Sequence, residues 1–225
     1  MPRSVLGLFA KVPAPGAVKT RLGGSPAHGA AVARAFLLEV LDRTHAIDAE
    51  RVVVFAPADA RAEMAQLVGP DIALEPQSEG DLGRRLERFI GDRLDAGADR
   101  VVVIGTDSPT LPPEFIARAL DELGHADLVL GPATDGGYYL VGCRCRLPIF
   151  EGVAWSRDTV LAETIDRLSD PRWRRSLLPP WYDVDTPEGW AVLRGHVRAM
   201  RRAGIDPGVR RTEAMLDERS GADAG

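Results

Sequence analysis

Cysteine is nearly absent from this chain. Cys143 and Cys145 are the only two, and they stand two apart, so on a strand both would point the same way. Neighbours at that spacing are poor disulfide partners, and a zinc site would need a second pair. They read as small structural hydrophobes. Histidine is scarce too: His28, His45, His125 and His196 are scattered, without metal-ligand spacing or a nearby nucleophile motif. No apolar run approaches the ~20 residues of a membrane helix. The N-terminus lacks the charged region, apolar stretch and cleavage site of a signal peptide, so the expected location is the cytoplasm. Positive charge is not in excess either. A net charge of −5 argues against a general nucleic-acid binder, which would be basic. Two familiar phosphate loops are missing: Lys19-Thr20 follows Val18 rather than a glycine, which excludes a Walker loop, and nothing after Phe9 supplies Gly-x-Gly-x-x-Gly. No internal repeat or long linker divides the chain. Residues 1–202 read as one domain and 203–225 as a charged, loosely held tail.

What is present is an alternation of apolar runs and helical patterns. Ser4–Phe9, Arg51–Ala56, Ile72–Glu75 and Arg100–Gly105 read as strands. Helices are expected over about 26–47, 59–68, 82–94 and 112–123, with Ser25-Pro26 as cap and first residue of the first. The alternation predicts an α/β fold: a mostly parallel, Rossmann-like sheet covered by helices on both faces. From Asp127 the pattern changes. Asp127–Gly131 and Tyr138–Gly142 read as strands joined by a Gly-rich turn. Ser156 is expected to cap a helix to about 168. Ser176–Leu178 and Trp181–Asp185 read as further strands, and Thr186-Pro187-Glu188 opens a last helix to about 202.

Chemistry collects where strands end. The first strand runs into Lys11-Val-Pro-Ala-Pro-Gly16-Ala-Val-Lys19-Thr-Arg21. The prolines stop the ladder, Gly16 permits a turn or a close approach to a ligand, and three cations follow at close spacing. Loops at the carboxyl edge of an α/β sheet bind ligands; cations and free backbone N–H groups there suit a phosphate-rich anion. The 77–83 and 106–110 loops should gather at the same edge. Asp107 directly follows the clearest strand, and Asp183 and Asp185 lie two apart at the end of a later one. Magnesium takes hard oxygens from one or two carboxylates, waters and phosphates, so Asp107 with Asp185 could hold Mg2+ (or Mn2+) beside a phosphate on Lys19 and Arg21. In Asp135-Gly136-Gly137 two glycines permit close backbone approach to a ligand, although Asp-Gly is also a hairpin signal.

The segments Phe9–Leu22, Gln77-x-x-Gly-Asp-Leu-Gly83, Gly105-Thr-Asp-Ser-Pro109, Asp135–Leu140, Trp155-Ser156 and Asp183-Val-Asp-Thr-Pro187 come in this order. As a set they resemble the bacterial radical-SAM/selenodomain-associated transferases, also called arsenosugar-biosynthesis glycosyltransferases. That family is similar in turn to the wider GT-A-fold nucleotide-diphospho-sugar transferases. The resemblance implies a GT-A fold and a nucleotide substrate. It puts Lys11, Gly16, Lys19 and Arg21 on phosphate and Gln77 and Gly80 at the base. It makes Asp107 and Asp185 the metal carboxylates, with Asp183 beside them, and Lys19, Arg21 and Asp107 the catalytic set. The wider family's Gly-x-Gly-Thr-Arg loop is replaced here by Pro-Gly-x-Val-Lys-Thr-Arg. Three readings follow: nucleotidyl transfer from a nucleoside triphosphate to a small acceptor, which the triple-cation loop favours slightly; glycosyl transfer from a nucleotide sugar; and a nucleotide-binding module without catalysis. None calls for a nucleic-acid or membrane partner.

Overall fold

The computed structural model describes residues 2–218. Its centre is a run of parallel strands whose residues are buried on both faces. Strand β1 (Ser4–Lys11) lies between β2 (Glu50–Ala56) and β4 (Arg100–Gly105), parallel to both. β3 (Ala73–Pro76) extends the sheet beyond β2. On the other side β6 (Tyr138–Cys143) pairs antiparallel with β4, followed by β5 (Leu128–Pro132) and the short β7 (Arg175–Leu177). The order is β3-β2-β1-β4-β6-β5-β7, with β6 alone reversed. The α/β class and mostly parallel sheet expected from the sequence are therefore present, and β2 and β4 flank β1.

Residues alternate between two cores, as a strand dictates. Leu6, Leu8, Val53, Phe55, Val102 and Ile104 face one layer, packed under α1 (Pro26–Arg43), α2 (Arg61–Val68) and α4 (Pro113–Glu122). Val5, Val52, Val54, Val101 and Val103 face the other, under α3 (Leu82–Asp95). Strands covered on both faces explain the unbroken Val and Ile runs. A third cluster joins α1 to α6 (Pro187–Arg202) and α7 (Arg210–Glu218) through Phe36, Trp190, Leu193, Val209 and Leu216.

The caps explain several boundaries. Ser25 accepts from the His28 N–H at 3.2 Å, Asp81 from Arg84 at 2.9 Å and Thr186 from Gly189 at 3.3 Å, each closing the first turn of its helix.

Three expectations are corrected. Ser156 caps no helix: its φ is +68°, and α5 (Val160–Asp166) begins four residues later behind Thr159. Trp181–Asp185 is not a strand; it makes one isolated bridge, between Trp181 and Ala133. The prolines at 179 and 180 remove donors from any ladder on its upstream side, and the Val184 N–H bonds to the Asp107 carbonyl at 2.9 Å instead. Finally, the tail from 203 is not loose as far as it is described. α7 packs on α1, where the buried Glu39 carboxylate accepts from the Arg211 N–H at 2.6 Å and the Thr212 N–H at 3.2 Å. Residues 219–225 lie outside the described part of the chain.

Candidate active site

An open cleft of about 570 Å3 lies at the carboxyl edge of β1 and β4. The three loops that the sequence placed together meet there, since Lys11, Lys19, Arg21, Gln77, Gly80 and Asp107 all line it. Asp183 and Asp185 join them from the segment before α6. The Val184–Asp107 backbone bond ties that segment to the loop after β4.

The centre of the cleft is a cation surrounded by oxygen. The Lys19 ammonium donates to Asp107 Oδ1, to Asp185 Oδ1 at 2.8 Å and to the Val184 carbonyl at 2.8 Å. Its side chain is only 4% exposed, against 46% for Asp107 and 37% for Asp185. The Phe36 ring lies 5.0 Å from the ammonium, a cation–π distance. Burial alone would lower the Lys19 pKa, but the Asp107 and Asp185 charges outweigh it and hold the pKa above its ordinary value. The sequence had presented Lys19 as an exposed cation free to meet phosphate. Its φ of +50° instead accompanies a side chain turned inward onto two carboxylates, which lie 88 and 166 residues further along the chain.

The other cations divide by exposure. Lys11 is exposed at the rim. Arg21 is 75% exposed and reaches Asp185 Oδ2 at 3.4 Å. Gly16, with φ +80° and open space around it, lies outside the lining. Asp183 accepts from the Ser108 hydroxyl. Burial, aided by Asp107, Asp135 and Asp185, pushes its pKa up to about 6 against the opposing Ser108 bond.

Gln77 has little left with which to read a base. Its amide nitrogen donates to the Val54 carbonyl at 3.0 Å and the Ala10 carbonyl at 3.3 Å, and its oxygen accepts from Arg85 Nη1 at 3.0 Å. The side chain fastens the loop to β1 and β2; Gly80, at φ +106°, presents backbone to the cleft. The Asp135-Gly136-Gly137 turn stands outside the lining. Gly136 has φ +91°, and a Cβ there would lie 2.0 Å from the Asp158 carbonyl oxygen, so packing of the 156–161 segment demands glycine. Trp155 is seated similarly: a Cβ on Gly83 would lie 2.4 Å from the indole nitrogen. Its neighbour Ser156 lines the cleft.

Three contributors were not foreseen: Arg85, Tyr138 and the Val184 carbonyl. Arg85 is one of many arginines, Tyr138 carried only its place in the Asp135–Leu140 segment, and a carbonyl leaves no trace in the sequence. Ser108, adjacent to Asp107, stands in the Gly105–Pro109 segment already marked in the sequence. Among the described residues no group of three or more His, Cys, Asp or Glu is arranged to hold a metal ion, and no helix is long and apolar enough to cross a membrane.

The sequence profile of the family described as "Uncharacterized protein conserved in bacteria (DUF2064)" matches residues 40–157. The chain belongs to this family. A solved structure from Desulfovibrio desulfuricans G20, provisionally named a nucleotide-diphospho-sugar transferase, is 33% identical to this DUF2064 member. The two superpose with a TM-score of 0.88 over 98% of this chain and 96% of that one. The 2-phospho-L-lactate guanylyltransferase of Methanothermobacter thermautotrophicus is 32% identical over 121 residues, 53% of each sequence. The 3-deoxy-manno-octulosonate cytidylyltransferase of Sodalis glossinidius is 28% identical over 120 residues, 53% of this chain and 44% of its own length. The chain thus spans about half the length of the curated relatives it matches. A cytidylyltransferase from Leptospira borgpetersenii shares the fold, at 15% identity and a TM-score of 0.55 over 98% of this chain and 96% of its own.

Proposed function

We propose that this DUF2064 protein is a divalent-cation-dependent nucleotidyltransferase that joins a nucleotide to a small acceptor. An acceptor oxygen attacks the α-phosphorus of a nucleoside triphosphate, the bond from that phosphorus to the β-bridging oxygen breaks, and pyrophosphate leaves. The observation that carries this reading is the convergence of three oxygens, from Asp107, Asp185 and Val184, on one cation at the edge of the cleft. The relatives named guanylyltransferase and cytidylyltransferase point the same way.

The residues present suit Mg2+ or Mn2+. The ammonium of Lys19 stands in for a metal among hard oxygen donors, and such ions need only one or two protein carboxylates, with waters and substrate phosphates completing the shell. Asp107 and Asp185 would hold the ion; when bound, it would neutralise charge developing on the phosphates. Arg21 and Lys11, exposed at the rim, offer charge-assisted hydrogen bonds to the phosphate chain. Arg85 adds a fourth cation to the lining, beside Lys11, Lys19 and Arg21. Asp183, behind Ser108, fixes the loop that carries Asp107.

Glycosyl transfer is the second reading. It is favoured by the 33% identical solved structure and its provisional name, and by the resemblance to arsenosugar-biosynthesis glycosyltransferases. A panel of nucleoside triphosphates and nucleotide sugars, each with and without Mg2+, separates the two. A ligand of the native state raises the melting temperature. Nucleotidyl transfer then releases pyrophosphate, whereas glycosyl transfer releases a nucleotide. Turnover that yields no pyrophosphate from any triphosphate with any acceptor, alongside nucleotide release from a sugar donor, would sink the first reading.

A further inference from the structure

We propose that Lys19 is a resident counter-cation: its ammonium and a divalent cation exclude one another at Asp107, Asp185 and the Val184 carbonyl, and metal loading turns Lys19 out toward the cleft. The inference rests on the metal-dependent reading above and concerns what the empty and loaded chains do differently.

Without a metal, Asp107 and Asp185 would face each other across a small gap at the floor of a cleft. Lys19 cancels that repulsion. Its ammonium spends its three N–H donors on two carboxylate oxygens and one carbonyl, which is the full capacity of a lysine. Arg21 reaches only the second oxygen of Asp185, from solvent. The ammonium thus occupies the position in which both carboxylates would meet a metal. A dication on the same oxygens would lie within contact distance of a positive charge in a half-buried site, where Coulomb repulsion is weakly screened. One of the two cations must leave.

Lys19 has somewhere to go. It lines the cleft, and its four-carbon stem carries a mobile point charge. Turned outward, it would join Lys11 and Arg21 on the phosphates, the role expected from the sequence. One residue would then hold the carboxylates in register while the site waits and bind substrate once it is loaded. The order follows from charge: metal, or metal-bound triphosphate, must arrive before Lys19 becomes a phosphate ligand.

The chain offers a direct probe, because Lys11 and Lys19 are its only lysines. An amine-acylating reagent, with the modified sites read by mass spectrometry of peptides from the labelled protein, should modify exposed Lys11 readily and Lys19 slowly. Titration with Mg2+ or Mn2+ alone should speed the modification of Lys19 several-fold and leave Lys11 as the internal control. In parallel, Lys19→Met keeps an unbranched stem without the charge. Calorimetry should show it binding Mn2+ more tightly than the parent, on the order of tenfold or more, as expected when a neighbouring positive charge is removed. If the variant fails to fold, the labelling of the parent chain decides alone. A chain that binds the ion while Lys19 stays protected, or a folded variant that binds it no more tightly, overturns the exclusion and leaves the proposed function standing. A chain that binds no divalent cation with or without a nucleoside triphosphate overturns both.

Discussion

Asp183→Asn tests the electrostatics of the cleft through stability alone. Asp183 is half-buried, accepts from Ser108, and has three further carboxylates nearby, at positions 107, 135 and 185. Its pKa rises from an ordinary 3.8 to about 6; at about 1.36 kcal/mol per pKa unit the difference is worth about 3 kcal/mol. The native chain therefore holds this proton more tightly than the unfolded chain does. The favourable contribution is present in full below pH 3.8 and is lost as pH rises through about 6. Asparagine keeps the shape and cannot ionise. Urea unfolding of parent and variant in a metal chelator, at several values between pH 4 and 7, gives the difference in stability. That difference should move in favour of the variant by up to about 3 kcal/mol over the range. A constant offset from an imperfect Ser108 bond does not affect the slope, and groups common to both proteins cancel. A difference that is flat with pH, or that moves against the variant, would refute the assignment of a half-buried, proton-holding carboxyl group.

Arg21→Ala should change folding stability by no more than about 0.5 kcal/mol, because the side chain is 75% exposed. It should weaken triphosphate binding by about 1.5–3 kcal/mol; unchanged affinity by calorimetry would remove the first loop from the phosphate site. Gly136→Ala combines a φ of +91° with a Cβ 2.0 Å from a backbone oxygen. It should cost about 2–5 kcal/mol, seen as a lower urea midpoint, and a neutral result would mean that the 156–161 segment is not seated as described. Glu39→Ala strands the N–H groups of Arg211 and Thr212, at about 1–3 kcal/mol. Limited proteolysis should then cut α7 from the rest of the chain, and resistance equal to that of the parent would show that α7 is held without Glu39, by its apolar contacts and the Arg211–Asp42 and Arg201–Glu213 pairs.

Much of the sheet was legible because its signals are local. Val101–Ile104 is an unbroken buried run, and Ser25-Pro26 and Thr186-Pro187 announce their helices by a cap and a proline in succession. The convergence of the first, 77–83 and 106–110 loops followed from strand direction. What escaped depends on distant partners. Lys19 looks like any surface lysine until Asp107 and Asp185 are brought to it. Trp181–Asp185 alternates like a strand, yet its side chains are drawn elsewhere: the Tyr182 hydroxyl lies 2.8 Å from Thr110 and 2.8 Å from His196. In the tail, charge conceals the buried row of Val209, Thr212 and Leu216, which marks one face of a short helix.

The cation cluster is also the part of the cleft that synthesis completes last. Lys19 emerges from the ribosome early, Asp107 near the middle and Asp185 late. A nascent chain that ends before residue 183 has the central strands and the first loop, yet its buried lysine has only one of its two acidic partners. The cleft is therefore closed chemically by the last quarter of the chain, after the sheet that frames it. A product that ends just before residue 183 has every strand of the sheet, yet lacks the second acidic partner of Lys19.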